Sequence, residues 1–375
     1  MSARPSLAGE VGGAFGDLGT LLPIMLGAIA VAGFAPGGVL TGFGTFLLAT
    51  ATIYRLPLPV QPMKAIGAVV LTGGLSGGEV AAAGLATGVM LLALGATGAM
   101  AWVARAVPRS AVIGLQLGLG VSMAWLGLTL AMDDPISGGI AAAVLLLLPR
   151  WRAGWPAAPL ALFVAGLAAS MAGAAMPAWP GFAPALPALV LPQDWEAAWR
   201  GIWVGALPQL PLTLANAVIV TALLAREMFP TNGRVTERRL ALTTGAGNLL
   251  LAPFGAMPMC HGAGGLVAQH RFGARTGWAP ALRGAILLVL GLGFAGDAAA
   301  LLGAIPLAAV GALLVFAGGD LALSTRLVEA RPDCRPAIAA AALGTFAFDP
   351  AVGLAAGWII EVARGALRGD RPAAE

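Results

Sequence analysis

LPLPVQPMKAIGAVVLTGG, residues 56–74, contains the only lysine of the 375-residue chain, Lys64, in apolar surroundings. Pro57, Pro59 and Pro62 precede it, so residues 58–61 are expected to run extended. Pro62 is then expected in the first turn of a helix, where its missing N–H costs nothing. The small-residue run that follows is too short to cross a bilayer, which takes about 20 residues. The stretch therefore predicts a half-helix whose N-terminus opens inside a membrane. Free N–H groups and the positive end of the helix dipole at that point suit an anion. A second stretch, FGAMPMCHGAGGLVAQH at 254–270, repeats the plan around Pro258 and His261.

Hydrophobic residues make up 59% of the chain and charged residues 10%, with a mean hydropathy of +0.88. A soluble domain carries about 25% charge, so the composition is that of an integral membrane protein. The 54 glycines and 27 prolines favour closely packed and broken helices. The arginines behind the net charge of +4 are spread over many short loops. That is a topology signal and not a nucleic-acid footprint. Cys260 and Cys334 make no disulfide framework and are expected to be reduced. Residues 1–9 show no small-residue cleavage site, so the first helix is expected to insert the chain.

Gly, Pro and charge divide the sequence into fourteen elements, near 14–33, 36–54, 58–74, 79–103, 108–131, 136–149, 157–175, 201–224, 236–253, 256–270, 279–296, 300–323, 336–348 and 351–366. With both termini placed in the cytoplasm, nearly all arginines, Arg55, Arg234, Arg283 and Arg364 among them, fall on the cytoplasmic side. Glu79, Asp133, Asp134, Asp194, Glu196, Asp297 and Asp349 fall on the other, with Arg200. This segregation follows the positive-inside rule for a multi-pass protein of the cell membrane. Pro62 and Pro258 lie 196 positions apart. Pro108 of VPRSAVIGLQLGLG and Pro306 of IPLAAVGALLVFAG lie 198 apart. Similar offsets argue for an internal repeat, and seven elements per copy make the second copy inverted. The expected fold is an all-α membrane protein: residues 1–175 as the first repeat, 176–200 as a Pro- and Trp-rich outer loop, and 201–375 as the second repeat with a short cytoplasmic tail. Inverted repeats with paired broken helices near the midplane are a transporter plan.

Several polar residues sit where apolar ones would be expected. Lys64 reads as a substrate or coupling residue, against a structural lysine paired with Asp17 or one snorkelling to the interface. Asp17, in GAFGDLGTLLP, reads either as a cap at a bend or as a counter-ion or proton site. Thr20 is one turn away. His261 stands at the second half-helix and titrates near physiological pH, against a satisfied core histidine. Cys260 and His261 lack the third and fourth ligands of a metal site, and no cofactor is expected. The run GAGG at 262–265 suits close backbone approach to a ligand. Gln209, Thr213 and Asn216 are spaced to share one helix face, for interhelical bonding or for lining a cavity.

PVQPMKAIGAVVL and GAMPMCHGAGGLVAQHRFGARTG resemble the molybdate transporter family, which is related to the sulfate permeases. GAFGDLGTLLP and GALPQLPLTLANAVI also resemble that family's paired motifs. The resemblance spans both halves. It implies high-affinity molybdate uptake by a protein of two inverted seven-segment repeats, divided into core and gate, with the broken third and tenth segments meeting at the substrate. It implies a core of segments one to four and eight to eleven, admits a homodimer, and lacks the cytosolic regulatory domain of the related sulfate permeases. The substrate set expected on this footing is Gln61, Pro62, Met63, Lys64, Thr213, Asn216, Cys260, His261, Gly262 and Ala263. The coupling set is Asp17, Thr20, Gln209 and His261. Molybdate is a tetrahedral dianion that only accepts hydrogen bonds, so it needs donors and positive charge where water is scarce. Proton symport is a hypothesis raised by Asp17 and His261. The competing readings are a carrier of sulfate or another oxyanion, a nucleobase carrier, a passive anion channel, and a membrane-embedded enzyme. The last lacks any nucleophile–base spacing.

Overall fold

The computed structural model describes residues 6–100, 102, 107–151, 157–173, 181–297, 306–323, 327 and 330–368. In chain order its first half runs α1 (Leu7–Phe15), α2 (Leu18–Ala30), α3 (Pro36–Tyr54), β1 (Gln61–Pro62), α4 (Lys64–Leu71), α5 (Gly77–Thr97), α6 (Arg109–Asp133), α7 (Pro135–Trp151) and α8 (Ala157–Met171). The second half runs α9 (Trp195–Met228), α10 (Glu237–Leu251), β2 (Met259–Cys260), α11 (Ala263–Arg271), α12 (Trp278–Gly293), α13 (Leu307–Ala322), α14 (Arg335–Ala347) and α15 (Pro350–Arg368). Among the described residues, α3, α5, α6 and α9 are long and apolar enough to cross a membrane, and the bent pair α1–α2 makes a fifth. α4 and α11, at 8 and 9 residues, are half that length. The expected segment ends at 103, 175 and 300, and residues 176–180 of the outer loop, lie outside the described residues.

Three local expectations change. The first element is two helices, bent by 43° between Phe15 and Leu18. α1 begins at Leu7 because Ser6 caps it, accepting from Gly9 N at 3.1 Å. Its Glu10 then accepts from the backbone N–H groups of Arg275 and Thr276 at 2.9 and 3.0 Å, docking a glycine-rich turn that hydropathy alone passes over. Pro62 is not in the first turn of α4. It lies in β1, Met63 is the N-cap, and the helix starts at Lys64. The cause is β2, which gives the extended chain a hydrogen-bonding partner. Finally, α9 starts at Trp195, because Asp194 caps it by accepting from Ala197 N at 2.8 Å.

The helices form two groups. In one, α3 packs along α12 and α5 along α10, with α4, α9 and α11 between them. In the other, α6 packs along α13, with α14 and α15 against α6 and with α7 and α8 beside α13. Glycines let α6 and α13 touch backbone to backbone. A Cβ at Gly127 would lie 2.6 Å from Gly311 O, and one at Gly311 2.6 Å from Gly127 O. Membrane helices associate through such close approach, since lipid supplies no hydrophobic drive between them. Gly311→Leu is expected to force the pair apart, costing about 1–3 kcal/mol. Gly319→Leu, on the same helix but with nothing within 4 Å, should cost far less. Thermal unfolding in detergent compares the two.

One charge departs from the expected topology. Arg283 is not in a cytoplasmic loop: it lies within α12 and is 2% exposed. Its burial is explained by Asp17, whose carboxylate lies 3.7 Å away.

Candidate functional site

Two short strands place everything in the centre. β1 and β2 pair antiparallel, Gln61 opposite Cys260 and Pro62 opposite Met259. Met63 N–H donates to Pro258 O at 2.8 Å. Asn248 of α10 clamps β2 from the side: its Nδ2 donates to Met259 O and its Oδ1 accepts from Met259 N, both at 2.7 Å. An extended backbone inside a membrane must satisfy its polar groups within the protein, and these contacts do so. Asn248→Leu leaves an N–H and a C=O of Met259 buried without that partner. A loss of about 2–4 kcal/mol is expected, read as a drop in unfolding temperature and in the yield of folded protein.

Antiparallel pairing sends the two chains into α4 and α11 from opposite directions. The N-termini of both half-helices therefore open beside the same small sheet. The cavity there is lined by Gln61, Pro62, Lys64, Gln116, Gln209, Leu212, Asn216, Ala217 and Cys260. Its polar content is one ammonium, four side-chain amides and a thiol. Lys64 is half-buried at the first position of α4, and among the described residues it has no salt-bridge partner. Its charge reaches Asp17, Cys260 and the exposed Asp320 of α13.

Gln209 is the most committed of the amides. Its Oε1 accepts from Ala65 N at 2.8 Å, capping α4, and its Nε2 donates to Thr213 Oγ1 at 2.9 Å. Thr213 is thus a buried support for Gln209, and it does not line the cavity. Asn216 does line it. Both lie in a stretch of α9 with π-helical turns, Thr213–Val220, and such turns frequently occur at functional sites.

Asp17 lies behind the cavity. It is the residue before α2, yet its side chain makes no capping bond. Instead Oδ1 accepts from Gln61 Nε2 at 2.6 Å, and Oδ2 faces Arg283 Nη1 at 3.7 Å. Arg283, and not Lys64, is therefore its ion-pair partner. Gln269 of α11 extends the chain: with its amide oriented to match its neighbours, its oxygen accepts from Arg283 Nη2 at 3.0 Å and its nitrogen donates to Pro57 O at 3.2 Å. The glycines 262 and 265 make room for this network and not for open space. A Cβ at Gly262 would collide with Gln61 Oε1, and one at Gly265 would lie 2.6 Å from Gln61 Nε2 and 2.7 Å from the Asp17 carboxylate. Gly264 alone faces open space. Thr20 is half-buried on α2 and does not reach the cavity.

His261 points the other way. It is fully buried, its Nδ1 lies 2.9 Å from Pro59 O, and its ring packs between Phe46 and Tyr54 with centroids 5.2 and 5.6 Å away. Successive residues of an extended chain face opposite sides; Cys260 faces the cavity, so His261 cannot. The residue that corresponds to Lys64 at the first helical position is Ala263, so the second half supplies no matching cation. Met63 is likewise buried away from the cavity. Gln116 of α6, which the sequence reading missed, lines the cavity from the other helix group, and its Oε1 is buried without a hydrogen-bond partner among the described residues. A lone polar residue at a core-facing position of an apolar helix is the signal that marks it. Among the described residues no group of three or more His, Cys, Asp or Glu could hold a metal.

Half-helices meeting head to head between two helix groups make a fold that the chain shares with the membrane domains of solved transporters. The chain superposes on the transmembrane domain of the cyanobacterial bicarbonate transporter BicA with a TM-score of 0.66 and 19% identity, covering 94% of this chain and 97% of that one. It superposes on murine Slc26a9, an anion transporter in the inward-facing state, with a TM-score of 0.69 and 14% identity, covering 98% of this chain and 70% of that one.

Sequence gives the finer assignment. A family model described as "Molybdate transporter of MFS superfamily" matches residues 9–123 and 201–323. Molybdate transporter 1 of Arabidopsis thaliana is 33% identical over 388 residues, covering 88% of this chain and 82% of the relative. Molybdate transporter 2 of the same plant is 30% identical over 409 residues, covering 94% and 86%. The chain belongs to the molybdate transporter family, a family of transporters and not of enzymes.

Proposed function

We propose that the protein imports molybdate across the membrane by alternating access, with the oxyanion held between the N-termini of α4 and α11. The observation that carries this reading is Lys64, a cation with no carboxylate partner among the described residues, at the mouth of a half-helix in a cavity whose other polar groups are four amides and a thiol. A tetrahedral dianion accepts hydrogen bonds on every oxygen, and an ammonium, amide N–H groups and two helix N-termini supply what it needs. The names of the relatives supply the particular anion.

The helix group containing α4 and α11 acts as the core, and the group around α6 and α13 as the gate. The antiparallel β1–β2 pairing and the corresponding positions of α4 and α11 support two inverted seven-segment repeats, residues 1–175 and 201–375, joined by an outer loop. Both termini then face the cytoplasm, as the arginine distribution favours. Glu79 and Arg200, both read as outer-side residues, pair at 3.1 Å, which is consistent with that arrangement. Substrate transport is proton-coupled in this reading, through Asp17.

Calorimetric titration of the purified protein with molybdate, then with sulfate as competitor, tests the assignment. Tight molybdate binding that excess sulfate barely disturbs is the expected result. Equal or stronger sulfate binding would retain the site and make the protein a general oxyanion carrier. Concentrative, saturable uptake into proteoliposomes separates a transporter from a passive channel.

A further inference from the structure

We propose that Asp17 and Gln61 form a proton-operated amide switch that links one proton to each dianion bound. The inference rests on the transport reading above and names the residues that would carry its coupling.

The geometry fixes which way the Gln61 amide faces. A carboxylate only accepts hydrogen bonds, so the amide must turn its NH₂ to Asp17, and Nε2 lies 2.6 Å from Oδ1. The amide oxygen then lies on the other side, over Gly262 at the start of α11. Gln61 also lines the cavity. With Asp17 ionised, the amide's donors are held behind the site, and its oxygen faces a ligand made only of acceptors. With Asp17 protonated, the carboxyl becomes a donor. It can then bond Oε1, so the amide rotates by half a turn and turns its NH₂ toward the oxyanion. Proton and anion therefore each favour the binding of the other. Gly262 keeps the space in which the amide turns, since any Cβ there would meet Oε1.

Charge at the centre agrees. The charged groups around Asp17 are Arg283 of α12, at 3.7 Å, and Lys64 of α4. Cys260 of β2 is within electrostatic reach and carries a neutral thiol in this scheme. Gln269 of α11 closes the network and has no charge. Arg283, Lys64 and the Asp17 carboxylate leave a single positive charge in the empty site; Asp320 of α13, which the charge of Lys64 also reaches, is exposed and is counted with the solvent. A dianion alone reverses it to a single negative charge, and a dianion with a proton on Asp17 brings it to zero. Moving a neutral centre through a membrane costs least. The proton enters from the outer aqueous side onto Asp17 and leaves to the cytoplasm with the anion. Asp17 Oδ2 is buried, faces Arg283 Nη1 at 3.7 Å and has no hydrogen-bond partner among the described residues, so it keeps a lone pair that can take the proton.

The test is molybdate binding to the full chain by calorimetry between about pH 5.5 and about pH 8, for wild type, Asp17→Asn and Gln61→Ala. Wild-type affinity should rise as pH falls, by up to about tenfold per pH unit for one linked proton. Asp17→Asn mimics the protonated carboxyl: it should bind at neutral pH at least as tightly as wild type, with no pH slope. Gln61→Ala should bind more weakly and with a slope clearly shallower than wild type, because only the charge of Asp17 then couples to the dianion. If Asp17→Asn does not fold, Gln61→Ala decides alone. A wild-type slope retained in either variant, or wild-type binding that is flat with pH, overturns the switch while leaving the anion site standing. Absence of molybdate binding at every pH would instead overturn the transport reading.

Discussion

Lys64→Ala should reduce molybdate affinity by about 100-fold or more while the protein still inserts and folds. The size follows from removing the cation that, alone among the described residues, lines the cavity. A charge-assisted contact in a desolvated site is worth about 3 kcal/mol, and 1.4 kcal/mol is tenfold in affinity. Stability should change little, because among the described residues Lys64 holds no salt bridge that its loss would break. Lys64→Gln, which keeps donors and removes charge, should fall between. Calorimetry for affinity and size-exclusion profiles for folding read the two effects separately. Wild-type affinity in Lys64→Ala would remove the residue from the site.

Arg283→Met is expected to act in the opposite way, with a large loss of stability. Arg283 and Asp17 are 2% and 3% exposed. Truncating the arginine leaves a buried carboxylate with Gln61 as its remaining hydrogen-bond partner. Breaking a buried pair from one side costs about 3–5 kcal/mol, whereas replacing both partners often costs little. Arg283→Met should therefore lower the unfolding temperature sharply, and Asp17→Asn combined with Arg283→Met should recover much of the loss. If the single variant unfolds with wild type, the pair contributes nothing to the folded state.

These two residues also mark what the sequence reveals and what it does not. Lys64 was legible because it is the sole lysine, embedded after three prolines in a run too short to span. The half-helix design was legible for the same reason, as was its second copy. Arg283 was not. An arginine five residues into an apolar helix reads as a loop-flanking charge, and its partner lies 266 positions earlier, at a bend that capping explains equally well. His261 was misdirected by its position: the sequence places it at the second half-helix but cannot show that β2 pairing turns it away from the cavity. Gln116 gave only a weak signal, since a lone amide in an apolar helix is usually interhelical glue. Among the described residues, caps at Ser6 and Asp194 lengthened two of the expected elements, and caps are signals legible without the tertiary structure. The β1–β2 pairing is not, and it shortened the helical part of 58–74 to Lys64–Leu71 and moved the start of the second half-helix to Ala263.

The two-residue pairing of β1 with β2 also bears on biosynthesis. Gln61 and Cys260 meet across 199 positions of chain. At about 5–20 residues per second, the ribosome delivers the second strand some 10–40 seconds after the first. For that interval residues 56–63 have already entered the membrane environment without their partner, and their N–H and C=O groups must be held by water or by the insertion machinery. The cavity at the two half-helix N-termini is consequently among the last parts of the molecule to exist, assembled only when β2 pairs with β1. A nascent chain halted before Met259 has most of its helices but neither β2 nor the side of the cavity that Cys260 lines.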